Sequence, residues 1–449
     1  MQKQLSVRSL LQISFLLFGF FFGAGNLIFP PLMGKLAGGN FVSAILGFAI
    51  TAVICPVLGI LAVAKMGGTP ALAAKVSRRF GILFPIVIYL AIGPGLGIPR
   101  AGSMPFAMAI QPLLPVSVPV VWARLIYTVL FFALACWLCI SPIKMVPRVG
   151  KILTPTLLFL ILCLFVATLI RLPAHFGPST GAYQSSTFLN GILDGYNTMD
   201  ALASLNFGFA IAVAIKSLKL TDDEKVGKKY TYMAAFIAGS LLLVIYAMLT
   251  YIGVTTAALW PDTTNGADIL RFTSRVALGY GGYLLVITVF SLACLTTCIG
   301  LIMSLSQYFS KLIPKISYRA MVILISLISC VLANFGLDAI IKFSLPTLLI
   351  MSPVSVVLIL LGVGYDFYSN NKHIFTVTIY TCLFFSFVDV INNMHFLPQS
   401  LGELLRKLPL SEYSLAWLVP TLLVFVVSFG AGKIFCRQCS TAVVIDQSK

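Results

Sequence analysis

The chain has 449 residues, 59% of them hydrophobic and only 10% charged, with a mean hydropathy of +1.02, whereas soluble domains carry about 25% charged residues. So few charges cannot coat a water-facing surface, which excludes a soluble enzyme, a nucleic-acid-binding domain and a disordered chain. The formal charge of +17, from 30 Lys and Arg against 13 Asp and Glu, then reads as basic residues gathered in the cytoplasmic loops of a membrane protein.

A hydrocarbon core of about 30 Å takes about 20 apolar residues per helix. Twelve apolar segments follow in chain order, at about 10–33, 41–64, 81–110, 120–140, 152–170, 188–215, 231–254, 282–310, 319–335, 338–362, 373–392 and 414–435. In a bilayer they must be helices, because each backbone polar group has to be satisfied within its own segment. Barrel strands would alternate apolar and polar residues instead. The first segment ends in Pro30-Pro31 rather than a small-residue cleavage site, so no cleavable signal is expected. With the N-terminus placed inside, the inner segments hold 21 Lys and Arg and the outer ones 6. That asymmetry predicts two cytoplasmic termini.

Span 1 reads Phe20-Phe21-Phe22-Gly23-Ala24-Gly25-Asn26-Leu27-Ile28-Phe29-Pro30-Pro31. Gly and Asn at membrane depth predict a broken helix, and such backbone is tolerated only where it is buried or lines a cavity. Gly19 and Gly47 are read as close-packing residues. Span 3 contains Gly93-Pro94-Gly95-Leu96-Gly97-Ile98-Pro99 followed by Arg100, which is expected either to snorkel outward or to pair with an acid such as Asp194. Span 6 opens with Asp194-Gly195-Tyr196-Asn197-Thr198-Met199-Asp200, a second break, with Thr198 or Asp200 available to cap the new half-helix.

The breaks open spans 1–5 and spans 6–10 respectively. Interrupted segments at matching positions of two halves point to a transporter site. Five spans is an odd number, so the halves would insert in opposite orientations as an inverted repeat, about 10–170 and about 188–362, with two extra helices at about 373–435. Open N–H groups at a half-helix start suit a carboxylate, and open carbonyls suit an ammonium or a cation. Together they suit a zwitterion. Amides of Gly23, Ala24, Gly25 and Asn26 are expected to hold the carboxylate, and carbonyls of Tyr196, Asn197 and Thr198 the ammonium. The apolar surroundings favour an aliphatic side chain.

The loop at about 255–281 carries a helical stretch, Ala267 to Leu278, read as a short lid. Span 8 supplies Ala293-Cys294-Leu295-Thr296-Thr297. Positions i, i+3 and i+4 share a helix face, so two hydroxyls and a carbonyl can face a small hard cation; the other reading is that the threonines bond their own helix. Of the other acids at membrane depth, Asp338 and Asp389 are read as interfacial. Eight of the ten Cys lie in apolar runs, and the lone Cys436–Cys439 pair lacks partners for zinc. His175, His373 and His395 sit near predicted interfaces without clustering. There is no catalytic triad and no metal-binding motif, so no enzyme and no cofactor is expected.

The motif Phe22 to Pro31, the Ile98-Pro99-Arg100 turn and the run Gly195 to Leu202 resemble the branched-chain amino acid:cation symporter (LIVCS) family of bacterial BrnQ-type carriers. The resemblance covers essentially the whole chain. It implies a multi-pass plasma-membrane carrier that takes up leucine, isoleucine and valine with sodium. It also implies an all-α membrane fold of the sodium-coupled amino acid symporter type (APC superfamily), a five-plus-five inverted repeat with two extra C-terminal helices. Carried over from that superfamily, a sodium site would consist of the carbonyls of Gly19, Phe22 and Ala293 with the hydroxyls of Thr296 and Thr297. Two other readings are a proton-coupled carrier relaying through Asp194 or Asp200, and a membrane sensor that binds the amino acid without moving it.

Overall fold

The computed structural model describes residues 6–430 apart from 142–145, 174–175, 218–223, 369–372, 395–396 and 407. The Cys436–Cys439 pair, His175, His395, both chain ends and the loop lysines Lys144, Lys219 and Lys372 lie outside the described residues. Within them all regular structure is helical. Eight helical stretches are long and apolar enough to cross a membrane, and four shorter apolar helices accompany them. Their outer faces expose large aliphatic and aromatic side chains, as on Val120–Cys139, whose most apolar window is only 22% buried. Lipid is the solvent such a face requires.

The first helix, α1 (Val7–Phe21), starts where the Ser6 hydroxyl accepts the Ser9 N–H at 3.2 Å. It stops because Phe22 turns to ψ 89° and Gly23 is extended. Helix α2 (Ala24–Ala37) then restarts and runs through Pro30 and Pro31, where the sequence suggested an end. A neighbouring backbone lies directly against this stretch of α2. A methyl built on Gly253 would sit 1.9 Å from the Pro31 carbonyl oxygen, and one on Gly34 only 2.1 Å from that of Thr250. Close approach through small residues is a main source of cohesion between helices in lipid.

Next come α3 (Phe41–Ala49) and α4 (Cys55–Met66), joined by the π-turn Ile50–Ile54, and the short α5 (Thr69–Ala74). Helix α6 (Arg78–Leu90) and α7 (Gly97–Pro105) make up the third span, and this one is broken too. Gly93 leaves helical geometry at ψ −117° and Leu96 sits at φ −143°, ψ −56°. The sequence reading allowed two breaks; the Gly-Pro-Gly run makes a third, and it sets the direction of α7 and hence of Arg100.

Helix α8 (Val120–Cys139) and α9 (Thr154–Arg171) precede the second predicted break. Helix α10 (Thr187–Asn197) is capped by the Ser186 hydroxyl on the Leu189 N–H, and α11 (Asp200–Ser217) follows. Between them Met199 takes φ 64°, a left-handed conformation that non-glycine residues seldom adopt. The first half of this span lies against α3 as closely as α2 lies against α12. Methyls on Gly47 and Gly191 would fall 2.1 Å and 2.2 Å from the carbonyls of Phe188 and Ala44.

The remainder is α12 (Glu224–Thr256), α13 (Gly266–Leu278), α14 (Tyr280–Leu312), α15 (Tyr318–Ala333), α16 (Leu337–Val363), α17 (Tyr365–Tyr368), α18 (His373–Asn393), α19 (Gln399–Arg406) and α20 (Leu418–Gly430). The expected lid helix is α13. It lies on α2, where a methyl on Gly266 would come 1.9 Å from the Ile28 carbonyl. Its leading loop is held by Lys35, whose ammonium donates to Pro261 O at 2.7 Å and to the Thr263 carbonyl and hydroxyl at 2.5 and 3.0 Å. Asp389, expected at a wet interface, is buried at 6% exposure.

Candidate functional site

Both predicted breaks and the unpredicted one converge on one cavity. Its walls include Gly23 to Asn26 of the first break, Thr198 to Asp200 of the second, Leu96, Gly97 and Arg100 of the third span, and Thr297 of α14. The cavity holds about 90 Å³ and continues past Gly25, Arg100 and Met199 into a second of about 280 Å³. Ile92, Leu301, Leu348, Phe20 and Phe207 make the rest of the wall apolar.

At the first break Asn26 is 3% exposed and its side chain is fully used. Its Oδ1 accepts the Gly23 N–H at 3.2 Å. Its Nδ2 donates to Asp200 Oδ2 at 2.5 Å and pairs with the Tyr246 hydroxyl, which also donates to Asp200 Oδ2 at 3.3 Å. One amide therefore ties the start of α2 to the start of α11 through α12. Of the amides expected to receive a carboxylate, that of Gly23 is already engaged by Asn26, and that of Ala24 faces the Cys294 sulfur. Those of Gly25 and Asn26 remain at the open N-terminus, where the helix dipole favours an anion.

At the second break Thr198 donates its hydroxyl to Gly195 O at 2.8 Å instead of capping α11. Asp200 makes no local cap either, because its carboxylate faces Asn26 and Tyr246. Asn197 lines the larger cavity. Tyr196 turns away from the site, with its hydroxyl in the surroundings of Ser352, Cys382 and Asp389. Its side chain is no part of the cavity wall.

Between α1 and α14 the Thr297 hydroxyl donates to the Gly19 carbonyl at 3.3 Å. Thr297 lies against the break itself, since a methyl on Gly23 would stand 3.0 Å from its Oγ1. Thr296, fully buried, donates back to Leu292 O at 3.1 Å and Ala293 O at 3.0 Å. The Phe22 ring stacks on Phe18 with centroids 5.1 Å apart. A residue absent from the sequence reading joins them: the Thr154 hydroxyl of α9 is buried without a hydrogen-bond partner, 2.6 Å from where a methyl on Gly19 would be. Nothing in the plain apolar run around Thr154 signals this.

Arg100 neither snorkels nor meets Asp194. It lines both cavities, and its Nη2 lies 3.3 Å from the position of a methyl on Gly25. Asp194 instead accepts the Tyr183 hydroxyl at 2.6 Å.

The family model for the branched-chain amino acid transport protein matches residues 6–434. The chain is 37% identical over 431 residues to the branched-chain amino acid permease BraB of Bacillus subtilis, covering 96% of each. It is 38% identical to the branched-chain amino acid transport system 2 carrier protein of Pseudomonas aeruginosa, covering 93% of this chain and 95% of that one. To the permease BrnQ of Escherichia coli it is 33% identical, covering 98% and 100%. Among solved structures, Mhp1, a nucleobase-cation-symport-1 family transporter, aligns with a TM-score of 0.58 over 97% of this chain and 94% of its own at 10% identity. A manganese transporter from Eremococcus coleocola aligns at 0.54 over 95% and 96% with 17% identity. At such identities the likeness is one of fold: this chain is folded as these transporters are.

Proposed function

The chain belongs to the branched-chain amino acid transport protein family, and from that premise we propose that it imports leucine, isoleucine and valine across a bacterial plasma membrane by symport with sodium. In this reading both termini face the cytoplasm, and alternating access works around the breaks of α1–α2 and α10–α11. The observation that carries it is the meeting of the two breaks at one mostly apolar cavity, with the Thr297 hydroxyl and Gly19 carbonyl touching beside it. An inverted repeat is supported by matching seams, α2 on α12 in one half and α11 on α4 in the other.

The substrate carboxylate would lie at the free amides of Gly25 and Asn26, and the ammonium at the last carbonyls of α10. Sodium would sit between the carbonyls of Gly19, Phe22 and Ala293 and the hydroxyls of Thr296 and Thr297. Thr154 supplies one further oxygen at the same place. Oxygen donors are what a hard cation takes, and the buried hydroxyl of Thr154 gains the partner it lacks.

One observation favours a second reading. Asp200 is 4% exposed, lines the cavity and is held by Asn26 and Tyr246, as a proton-relaying carboxylate would be. Counterflow of labelled leucine in proteoliposomes separates the two. Sodium symport requires uptake to rise with an inward sodium gradient and to be indifferent to a pH gradient at fixed sodium. Uptake that follows the pH gradient, ignores sodium and is uncoupled by Asp200→Asn would replace sodium by protons.

A further inference from the structure

Arg100 and Asp200 stand on facing walls of the same cavity without touching. Among the described residues no carboxylate comes within 4.0 Å of the Arg100 guanidinium, and its one hydrogen bond, at 3.4 Å, runs from Nε to the sulfur of Met104. Sulfur is a weak acceptor. Asp200 acts on Arg100 only through charge, beyond ion-pair distance, and a guanidinium inside a bilayer protein gains from an anion in direct contact, because a charge there is costly to leave without one. Its Nη2 lies over Gly25, so guanidinium and helix N-terminus address the same point. Across the cavity Asp200 is fixed through Oδ2 by Asn26 and Tyr246. One wall is thus basic and the other acidic.

We infer that Arg100 and Asp200 form a cradle for the zwitterionic head of the substrate, with the guanidinium binding the carboxylate and Asp200 facing the ammonium. This assignment rests on the amino-acid reading above and adds to it the two charged groups that select an α-amino acid over its neutral or singly charged analogues. It explains why α7 is turned at Gly93 and Leu96: an unbroken third span would carry Arg100 in another direction. It also explains Gly25, since a larger side chain there would displace the Nη2 nitrogen from the helix N-terminus. The planar fork of Arg matches a carboxylate in two parallel bonds, which Lys cannot copy.

The test uses purified full-length protein in nanodiscs with labelled leucine, competed by leucine amide, which lacks the carboxylate, and by 2-hydroxy-4-methylpentanoate, which lacks the ammonium. Wild-type protein should bind both analogues at least about tenfold more weakly than leucine, the scale of one lost charged hydrogen bond. Arg100→Gln should weaken leucine about tenfold or more and leave leucine amide unchanged, so that the discrimination against the amide disappears. Asp200→Asn should do the same for the hydroxy acid. Arg100→Lys, which keeps the charge, should weaken leucine alone, and it decides the matter if Arg100→Gln does not purify as a monodisperse protein. Parallel losses for leucine and leucine amide in the Arg100 variants would mean a structural role and overturn the cradle while leaving the transport reading in place. Wild-type protein that binds no branched-chain amino acid would overturn both.

Discussion

At the first break the chain leaves the helix through Phe22 and Gly23 in conformations that any residue tolerates, and Asn26 closes the new end by accepting the Gly23 N–H. At the second it turns through Met199 at φ 64°, with the Thr198 hydroxyl on the Gly195 carbonyl. The first break is held by a side chain and leaves two amides open; the second is held by backbone strain and presents a carboxylate. One end is electropositive and the other electronegative. Equal sequence signals, Gly with Asn at membrane depth, have therefore produced opposite chemistry, and the two are joined by a single amide, that of Asn26.

Cutting that joint should have the largest effect. Asn26→Ala removes the bonds to Gly23, Asp200 and Tyr246 together and leaves Asp200 underpaired in a buried place. At about 1–3 kcal/mol for each unsatisfied group, leucine binding should vanish and the thermal unfolding temperature should fall. Binding retained at wild-type strength would show that the two breaks are not coupled through Asn26.

The seams come next. Gly253→Val and Gly191→Val each place a side chain against backbone, at 1.9 and 2.2 Å from Pro31 O and Ala44 O for the first carbon alone. Backbone cannot yield as a side chain can, so each should destabilise by about 1–3 kcal/mol or more, read as loss of folded protein after mild heating in detergent. If either variant folds as the unmutated protein does, the seam it occupies is not a close backbone contact in the folded protein. Gly25→Ala is the control: its methyl meets only Arg100 and Phe29 side-chain atoms at 3.3 and 3.6 Å, and it should fold normally.

The two threonines proposed as cation ligands also differ from each other. Thr297 faces the cavity and reaches across to Gly19, whereas Thr296 bonds its own helix. Thr297→Ala should raise the sodium concentration for half-maximal uptake about tenfold, the scale of one oxygen ligand, with leucine affinity at saturating sodium little changed, because the ion acts on the substrate through its occupancy. Thr297→Ser keeps the oxygen and should be mild. A silent Thr297→Ala would move the coupling ion elsewhere.

The apolar helices, the loop helix α13 and the two breaks were legible because each has a local signature: unbroken hydrophobicity, a helical run in a polar loop, and Gly with Asn where a helix needs neither. The third break was visible as Gly93-Pro94-Gly95 yet read as part of an intact span, since Gly and Pro are common in membrane helices that continue. The partners were not legible. Asn26 meets residues 174 and 220 positions away, and Tyr246 and Thr154 sit in runs that look like plain lipid-facing helix. Arg100 does not snorkel, and the acid it shares a cavity with is Asp200 and not Asp194, because its direction depends on the break at Leu96. The pattern of a helix reports what its own backbone does; which neighbour meets a side chain is decided by packing across the bundle.

The smallest effect expected is at Met199, and it tests whether the second break is locked by its own backbone. A left-handed residue other than glycine costs about 1–2 kcal/mol. Replacing it by Gly removes that strain but adds about 0.5–1 kcal/mol of chain entropy lost on folding, and it also strips the half-buried thioether from the cavity wall. These terms nearly cancel, so Met199→Gly should shift thermal stability by no more than about 1 kcal/mol. Met199→Val has no such compensation, because a β-branched residue at positive φ is a true outlier. It should be the less stable of the two by about 1–2 kcal/mol, although Val is the closer match in polarity and volume. Unfolding curves of both variants in the same detergent give the sign directly. If Val is as stable as Gly, the chain at residue 199 does not hold the left-handed turn in the membrane protein, and the break would have to be kept open by Asp200 and its partners alone.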